Sequence, residues 1–155
     1  MIIDNFLRFS NAQAITADAE STNVIDFKQT APDIGTGENL YCVVMNTTAL
    51  ADTTDSDAQV VVNLVSDAAA NLGSSPYEES ITVGTWAMAT SALAAGTVNI
   101  VRLPPGFPVG RYVGIQYDVT TTGSITAGNF TAFLTKDIQK WVAKPNATNA
   151  SIDIT

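Results

Sequence analysis

Apolar and polar residues alternate in short runs along most of the chain, a pattern that is typical of β-strands and not of helices. The clearest example is 111–119, where alternate residues would share one buried face and predict a half-buried strand. Further strands are predicted at Asn23–Phe27, Leu40–Met45, Gln59–Val65, Ser80–Ala87, Thr97–Leu103 and Asn129–Lys136.

Three of these strands have distinctive patterns. Leu40–Met45 is almost continuously apolar, which predicts burial on both faces. Gln59–Val65 places Val60, Val62 and Leu64 on one face. Ser80–Ala87 carries Ile81 and Val83, but Trp86 is offset from their period of two, and we expect it to be a core residue.

Residues that favour turns separate the predicted strands at regular intervals, for example at Gly73–Pro76, Pro104–Gly106 and Thr122–Gly123. Seven or eight short strands divided in this way predict an all-β chain, a single-domain antiparallel β-sandwich of the jelly-roll type. We expect this domain to span residues 1–140, including an N-terminal segment, and to be followed by a C-terminal extension or arm at 141–155.

Charge is scarce and unevenly placed. Only 14% of the 155 residues are charged, and the formal net charge is −8. Up to Val101 there are twelve acidic and two basic residues, whereas from Arg102 onward there are three acidic and five basic ones. No part is basic enough to follow a phosphate backbone, so we expect no nucleic-acid partner. A surface poor in ions is cheaper to desolvate, which favours assembly with another protein.

The residues that most enzymes need are missing. The chain has no histidine, which excludes Ser-His-Asp and Cys-His catalysis. Cys42 is the single cysteine, lies in an apolar run and is expected to be a small core residue. The acidic run Asp52–Asp57 could bind calcium, but it lacks the spacing of an EF-hand, and a solvated loop is favoured. We therefore expect no enzyme activity, no cofactor and no metal.

Both ends of the chain carry apolar residues without the charge of a solvated tail. Ile152 and Ile154 alternate with polar residues, so this segment could add a strand to a neighbour's sheet, or it could close an edge of its own. Trp141 could likewise cover an end of the sandwich or anchor a partner. The candidate partner contacts are Ile3, Phe6, Phe9, Trp141, Val142, Ile152 and Ile154.

Several segments occur together in a familiar order. They include Phe9–Thr16, Ser21–Asp26, Asp33–Tyr41, Leu103–Gly106, Arg111–Tyr117 and Phe133–Asp137. In this order the chain resembles the jelly-roll cement (head-decoration) proteins of short-tailed bacteriophages, of the type found in a Bordetella phage. The resemblance implies a structural protein of the virion that binds the outside of the capsid and stabilises contacts between major capsid proteins. It also implies a homo-oligomer, with a trimer favoured.

A carbohydrate-binding module on the virion surface is the alternative, because jelly rolls often serve that role. Tyr77, Trp86 and Tyr112 are the aromatic residues that could form its sugar platform. The N-terminus lacks the features of a signal peptide, and no apolar stretch approaches the length of a membrane helix. We therefore expect synthesis in the host cytoplasm and no membrane partner.

Overall fold

The computed structural model describes residues 4–29, 39–53, 57–73, 76–87, 95–107, 110–136 and 138. These residues form two antiparallel sheets that pack face to face. A 3-10 turn at Asn5–Leu7 precedes the strands. The strands are β1 (Arg8–Ala14), β2 (Ala19–Glu20), β3 (Ile25–Asp26), β4 (Tyr41–Asp52), β5 (Gln59–Asp67), β6 (Glu79–Ala87), β7 (Val98–Arg102), β8 (Tyr112–Thr120) and β9 (Ile125–Thr135).

The strand order confirms the predicted sandwich. One sheet has the order β1-β9-β4-β7, and the other has the order β2-β8-β5-β6. The short strands β2 and β3 both pair with β8, so together they act as one interrupted edge strand. Because β4 to β5 and β6 to β7 cross between the sheets, each sheet mixes early and late strands, which is the jelly-roll arrangement.

The core lies between the two sheets. Val60, Val62 and Leu64 are fully buried on the inner face of β5, as their alternation predicts. Cys42 and Val44 face them from β4. Other large buried side chains of this core are Phe9, Ile15, Trp86, Phe107, Ile115, Tyr117 and Phe130.

A β-bulge explains the offset position of Trp86. Val62 pairs with Gly84 and Asn63 pairs with Thr82, so Val83 is an extra residue on β6. The extra residue resets the alternation, which brings Trp86 onto the inner face despite its odd spacing from Ile81. The Trp86 ring then meets the ring of Phe130 edge-on, with centroids 5.4 Å apart.

The prediction of a half-buried β8 is wrong for the middle of that strand, where both faces are buried. The segment between β2 and β3 and the loop after β5 cover its outer face. A Cβ added to Gly114 would lie 2.6 Å from Leu72 Cδ1 and 3.1 Å from Ser21 Oγ. A larger residue therefore has no room at Gly114, and its outward position does not make it exposed.

The first and last strands of the sandwich meet at one of its two ends. Arg8 at the start of β1 pairs with Phe133 near the finish of β9, and Thr135 shares a row with Tyr41. We call this the terminal end, because the chain enters the sandwich and leaves it there. The turn between β8 and β9 lies at the opposite end. The proposed extension at 141–155 lies outside the described residues.

Candidate partner-binding surface

The turn before β1 presents an aromatic side chain to solvent. Asp4 caps the turn: its carboxylate accepts a hydrogen bond from the Phe6 amide at 2.9 Å, and its carbonyl accepts one from the Leu7 amide at 3.1 Å. Phe6 is 89% exposed, and among the described residues no other large apolar side chain is exposed. An exposed aromatic ring of this kind is a typical anchor for a protein partner.

Neighbouring contacts fix the direction of Phe6. The adjacent Leu7 packs against the core, whereas Phe6 faces solvent. Arg8 donates a hydrogen bond through Nη2 to the side-chain oxygen of Asn5, which closes the turn. The exposure of Phe6 therefore follows from an anchored turn at the terminal end.

Of the remaining candidate contacts, one is buried and the others lie outside the described residues. Phe9 is fully buried in the core, so its proposed role as a partner contact is corrected. Its side chain fills the space between the sheets because β1 is an edge strand whose inner face still packs on the core. The candidates outside the described residues are Ile3, Trp141, Val142, Ile152 and Ile154.

A buried polar network holds β1 to the second sheet. The Tyr117 hydroxyl donates to Ser10 Oγ at 2.9 Å, and Ser10 Oγ donates to Gln13 Oε1 at 2.8 Å. Gln13 Nε2 in turn donates to the Glu20 carbonyl at 2.8 Å, and the Thr22 amide donates to Gln13 Oε1 at 2.9 Å. Both polar atoms of the Gln13 side chain thus bond to the segment around β2.

Burial dominates the chemistry of Tyr117. Desolvation raises the pKa of its phenol above the usual value, and the hydrogen bond with Ser10 opposes this only in part. The phenol therefore stays protonated and remains a hydrogen-bond donor. No sequence pattern predicts this network, since Ser10 and Gln13 have no periodic or charged signature.

An ion cluster fastens β3 to the start of β8. Arg111 donates from Nε to Asp26 Oδ1 at 2.7 Å and from Nη2 to Oδ2 at 2.9 Å. Lys28 Nζ approaches the same carboxylate at 2.7 Å. The hydrogen bond from Arg111, followed by that from Lys28, holds the pKa of Asp26 well below its usual value. These bonds hold the surface segment around Asp26 against the start of β8.

Asp52 and Asp57, the two ends of the acidic run, tie two loops together, and Asp55 lies outside the described residues. Thr121 donates from Oγ1 to Asp52 Oδ2 at 3.0 Å, and Thr122 donates from Oγ1 to Asp57 Oδ2 at 2.8 Å. The hydrogen bond from the Thr122 hydroxyl, followed by those that the Thr122 amide and Thr121 Oγ1 donate to Asp57, lowers the pKa of Asp57. Within the described part of the chain, no three metal-binding side chains come together. The two carboxylates therefore fasten the turn between β8 and β9.

Cys42 has the environment that its sequence context predicts. It is fully buried in the core, and burial raises the pKa of its thiol to about 12. A protonated thiol in this position is a poor nucleophile.

The proposed sugar platform does not form. Trp86 is only 1% exposed. Tyr77 is partly buried and donates its hydroxyl to the Leu72 carbonyl at 3.1 Å. The guanidinium of Arg111 lies over the ring of Tyr112, 5.0 Å from its centroid. These three aromatic residues therefore present no shared open surface for a sugar.

The exposed residues on the outer face of β5, β6 and β8 are polar and mostly uncharged. Thr82 Oγ1 donates to Asn63 Oδ1 at 2.8 Å, and Asn63 Nδ2 donates to Asp118 Oδ2 at 2.7 Å. We call this row, with its exposed neighbours, the neutral face. Its exposed residues are Ser80, Thr82, Thr85, Asp118 and Thr120, of which Asp118 alone is charged.

A sequence model of the Bbp16 family matches residues 9–134. The chain belongs to the Bbp16 family. The family name derives from a Bordetella phage, so the predicted resemblance is confirmed at the level of family. The match covers the whole sandwich from Phe9 to Leu134, and the Phe6 turn and the segment 141–155 fall outside it.

No curated protein matches this Bbp16 chain. Among its described residues, no helix has both the length and the apolar character needed to cross a membrane.

Proposed function

We propose that this Bbp16 protein is a capsid cement protein that binds the outer surface of a phage head. The observation that carries the proposal is the family match across the entire jelly roll. A phage-derived family and a rigid β-sandwich both suit a structural component of the virion. The proposal includes the absence of enzyme activity, cofactor and metal.

The surface chemistry supports contact with another protein. The neutral face exposes hydroxyl groups with only Asp118 charged. Hydroxyl and amide groups can exchange their water for hydrogen bonds with a partner, whereas buried ions must be paired to avoid a large desolvation cost. Phe6 adds an apolar anchor at the terminal end. Together they supply the polar area and the aromatic anchor of a typical specific interface.

The mechanism follows from where such a protein binds. A capsid under internal pressure fails where its subunits separate. A protein that spans a junction between major capsid proteins loses its contacts when that junction opens, so its binding free energy opposes the opening. A homo-oligomer, with a trimer favoured by the resemblance, would link several such contacts and raise the avidity by about 10²-fold or more.

The charge of the chain supports an outside location. With a net charge of −8, the protein would be repelled by packaged DNA. In this proposal it is synthesised in the host cytoplasm, has no membrane partner and joins the outer surface of the assembled capsid.

Purified protein added to undecorated capsids tests the proposal. We expect saturable binding to a fixed number of sites, and decorated capsids that release DNA at a higher temperature than bare ones. A matched Asp118→Arg variant, which places a positive charge on the neutral face, reports whether that face takes part. Saturating amounts of protein that leave capsids bare would overturn the cement role, and retention of the protein by a glycan array would instead support the carbohydrate-binding alternative.

A further inference from the structure

A fully buried asparagine lies on the inner face of β4. Cys42 and Val44 belong to the core, and Asn46 continues their alternation, so its side chain points between the two sheets. The backbone of Asn46 is satisfied, because its amide donates to the Thr97 carbonyl at 3.0 Å and its carbonyl accepts from the Gly96 amide at 2.7 Å. The side-chain amide is therefore the polar group of this residue that still needs a partner.

Both polar atoms of that side chain are enclosed. Asn46 has no exposed surface, and neither Nδ2 nor Oδ1 has a hydrogen-bond partner among the described residues. Exchanging the oxygen and nitrogen positions of the amide changes nothing, since both positions lack a partner. Buried polar groups in folded proteins are almost always paired, either with protein atoms or with ordered water.

A second unpaired donor lies on the facing sheet. Trp86 is 1% exposed, and its indole Nε1 also has no hydrogen-bond partner among the described residues. An indole nitrogen can only donate, so it needs an acceptor. The bulge on β6 thus brings a large ring into the core together with an unsatisfied N–H group.

Phe130 is the common neighbour of these two residues. It pairs directly with Asn46, which places the two side chains next to each other on the inner face of one sheet. The Trp86 ring meets Phe130 from the other sheet, with centroids 5.4 Å apart. The unpaired amide and the unpaired indole therefore flank the same ring.

The β7 side of this region is polar as well. Asn99 pairs with Val44, one position along the inner face from Asn46, and it is half-buried. A Cβ added to Gly84 would overlap the Asn99 side-chain amide and lie 3.3 Å from the Trp86 ring, so this amide reaches across to β6. A polar, partly exposed side chain at the β6–β7 edge suits the entry of water from solvent.

We propose that the Asn46 side-chain amide and Trp86 Nε1 bind an internal water molecule between the two sheets. Water supplies what both groups lack, because it accepts from the indole N–H and from Asn46 Nδ2 and donates to Asn46 Oδ1. These three hydrogen bonds are the usual number for a buried water. The water would link β4 to β6, as the Tyr117–Ser10 bond links β8 to β1. This inference does not depend on the cement role.

NMR cross-relaxation between water and the full chain tests the site. We expect rotating-frame cross-peaks from water to the Asn46 Nδ2 protons and to the Trp86 Nε1 proton, with the sign that distinguishes a dipolar contact from proton exchange. The Trp86 signal is assigned by its loss in Trp86→Phe, which separates it from that of Trp141.

A pair of variants on β4 tests whether the two groups share the water. Asn46→Leu removes two of its three hydrogen bonds, so the cross-peak at Trp86 Nε1 should disappear. Thr48→Leu is the matched control, because Thr48 lies on the same strand but is exposed, and the cross-peak should remain. A Trp86 cross-peak that is unchanged in folded Asn46→Leu would overturn the proposal.

A high-resolution crystal structure of the wild type provides a readout that does not depend on any variant. We expect a water molecule within hydrogen-bond distance of the Asn46 amide and of Trp86 Nε1. A direct Asn46–Trp86 hydrogen bond would overturn the proposal, as would water contact at only one of the two groups or at neither.

Discussion

Tyr117 and Ser10 form a hydrogen bond across the sandwich, with the phenol of β8 donating to the hydroxyl of β1 at 2.9 Å inside the closed core. Both residues are fully buried. The bond therefore joins the two sheets at a place where water cannot replace a lost partner. It also positions β1, the strand that begins directly after the Phe6 turn.

Removing either partner of this bond should destabilise the fold. We expect Tyr117→Phe and Ser10→Ala each to lower the free energy of unfolding by about 1–2 kcal/mol, because a buried polar group loses its partner. In the double variant the loss should be smaller than the sum, by about 1 kcal/mol, since the second change removes the orphaned group. Urea denaturation of the four proteins measures this coupling, and strictly additive losses would contradict it.

Phe6 should matter for binding and not for stability. Phe6→Ser removes an exposed ring, so the free energy of unfolding should stay within about 0.5 kcal/mol of the wild type. Capsid occupancy should fall at least about tenfold if the ring is a binding anchor. Leu7→Ala is the contrasting variant, because Leu7 packs on the core and its loss should lower stability. Unchanged occupancy with Phe6→Ser would remove the N-terminal turn from the interface.

Gly110 should tolerate no side chain. A Cβ there would lie 2.5 Å from both the amide nitrogen and the carbonyl oxygen of Asp67, and the Gly110 amide already donates to Ser66 Oγ at 2.7 Å. The Asp67 backbone cannot move aside without disturbing β5, so Gly110→Ala should cost about 2–3 kcal/mol in thermal or urea unfolding. Gly73→Ala is the matched control, since among the described residues its added Cβ would meet the tip of the Asn71 side chain alone, at 3.2 Å. Equal stability of the two variants would show that a side chain fits at Gly110.

The Asp26 cluster predicts an acid dependence of stability. Arg111 and Lys28 lower the pKa of Asp26 in the folded protein, so the ionised carboxylate stabilises the fold. That contribution is present above the unfolded value near 3.8 and is lost as the pH falls towards the folded pKa. Asp26→Asn should therefore be less stable than the wild type at pH 7, and the difference should shrink below about pH 4. Urea unfolding at several pH values tests this, with Glu78→Gln as the exposed control. A stability difference between Asp26→Asn and the wild type that does not change with pH would contradict the stabilising role of the ionised Asp26.

Cys42 should report on global unfolding. Its thiol is buried and has a pKa of about 12, so a thiol reagent at pH 8 should not label the native protein. Labelling should become complete in denaturant, with a midpoint that matches the loss of β-sheet signal. Rapid labelling of the native protein would mean that β4 opens locally.

The sequence predicted the strands whose burial follows a simple period. Leu40–Met45 and Gln59–Val65 appear within β4 and β5, and their apolar residues lie where the alternation places them. The pattern also predicted a core position for Trp86, although the bulge that puts it there has no sequence signal. The alternation of apolar and polar residues was sufficient to predict a strand wherever its side chains point to the core and away from it in turn.

Other parts depend on contacts between distant residues. The strand β2 has two residues and exists because Ala19 and Glu20 meet β8, so no local pattern could predict it. The burial of Gly114 depends on Leu72 and Ser21. The candidate contact Phe9 was misassigned because an apolar residue near the chain terminus has the same sequence signal whether it faces a partner or its own core. Phe6 lies in the turn that Asp4 caps, whereas Phe9 lies on β1 and faces the core.

The terminal end has a practical consequence for where a reporter can be inserted into the sandwich. Because Arg8 pairs with Phe133, the start of β1 and the finish of β9 meet at one end, next to the turn that exposes Phe6. An insertion at either place would therefore crowd that ring. The turn around Gly123, at the opposite end of β9, would instead hold a reporter a full strand length from Phe6.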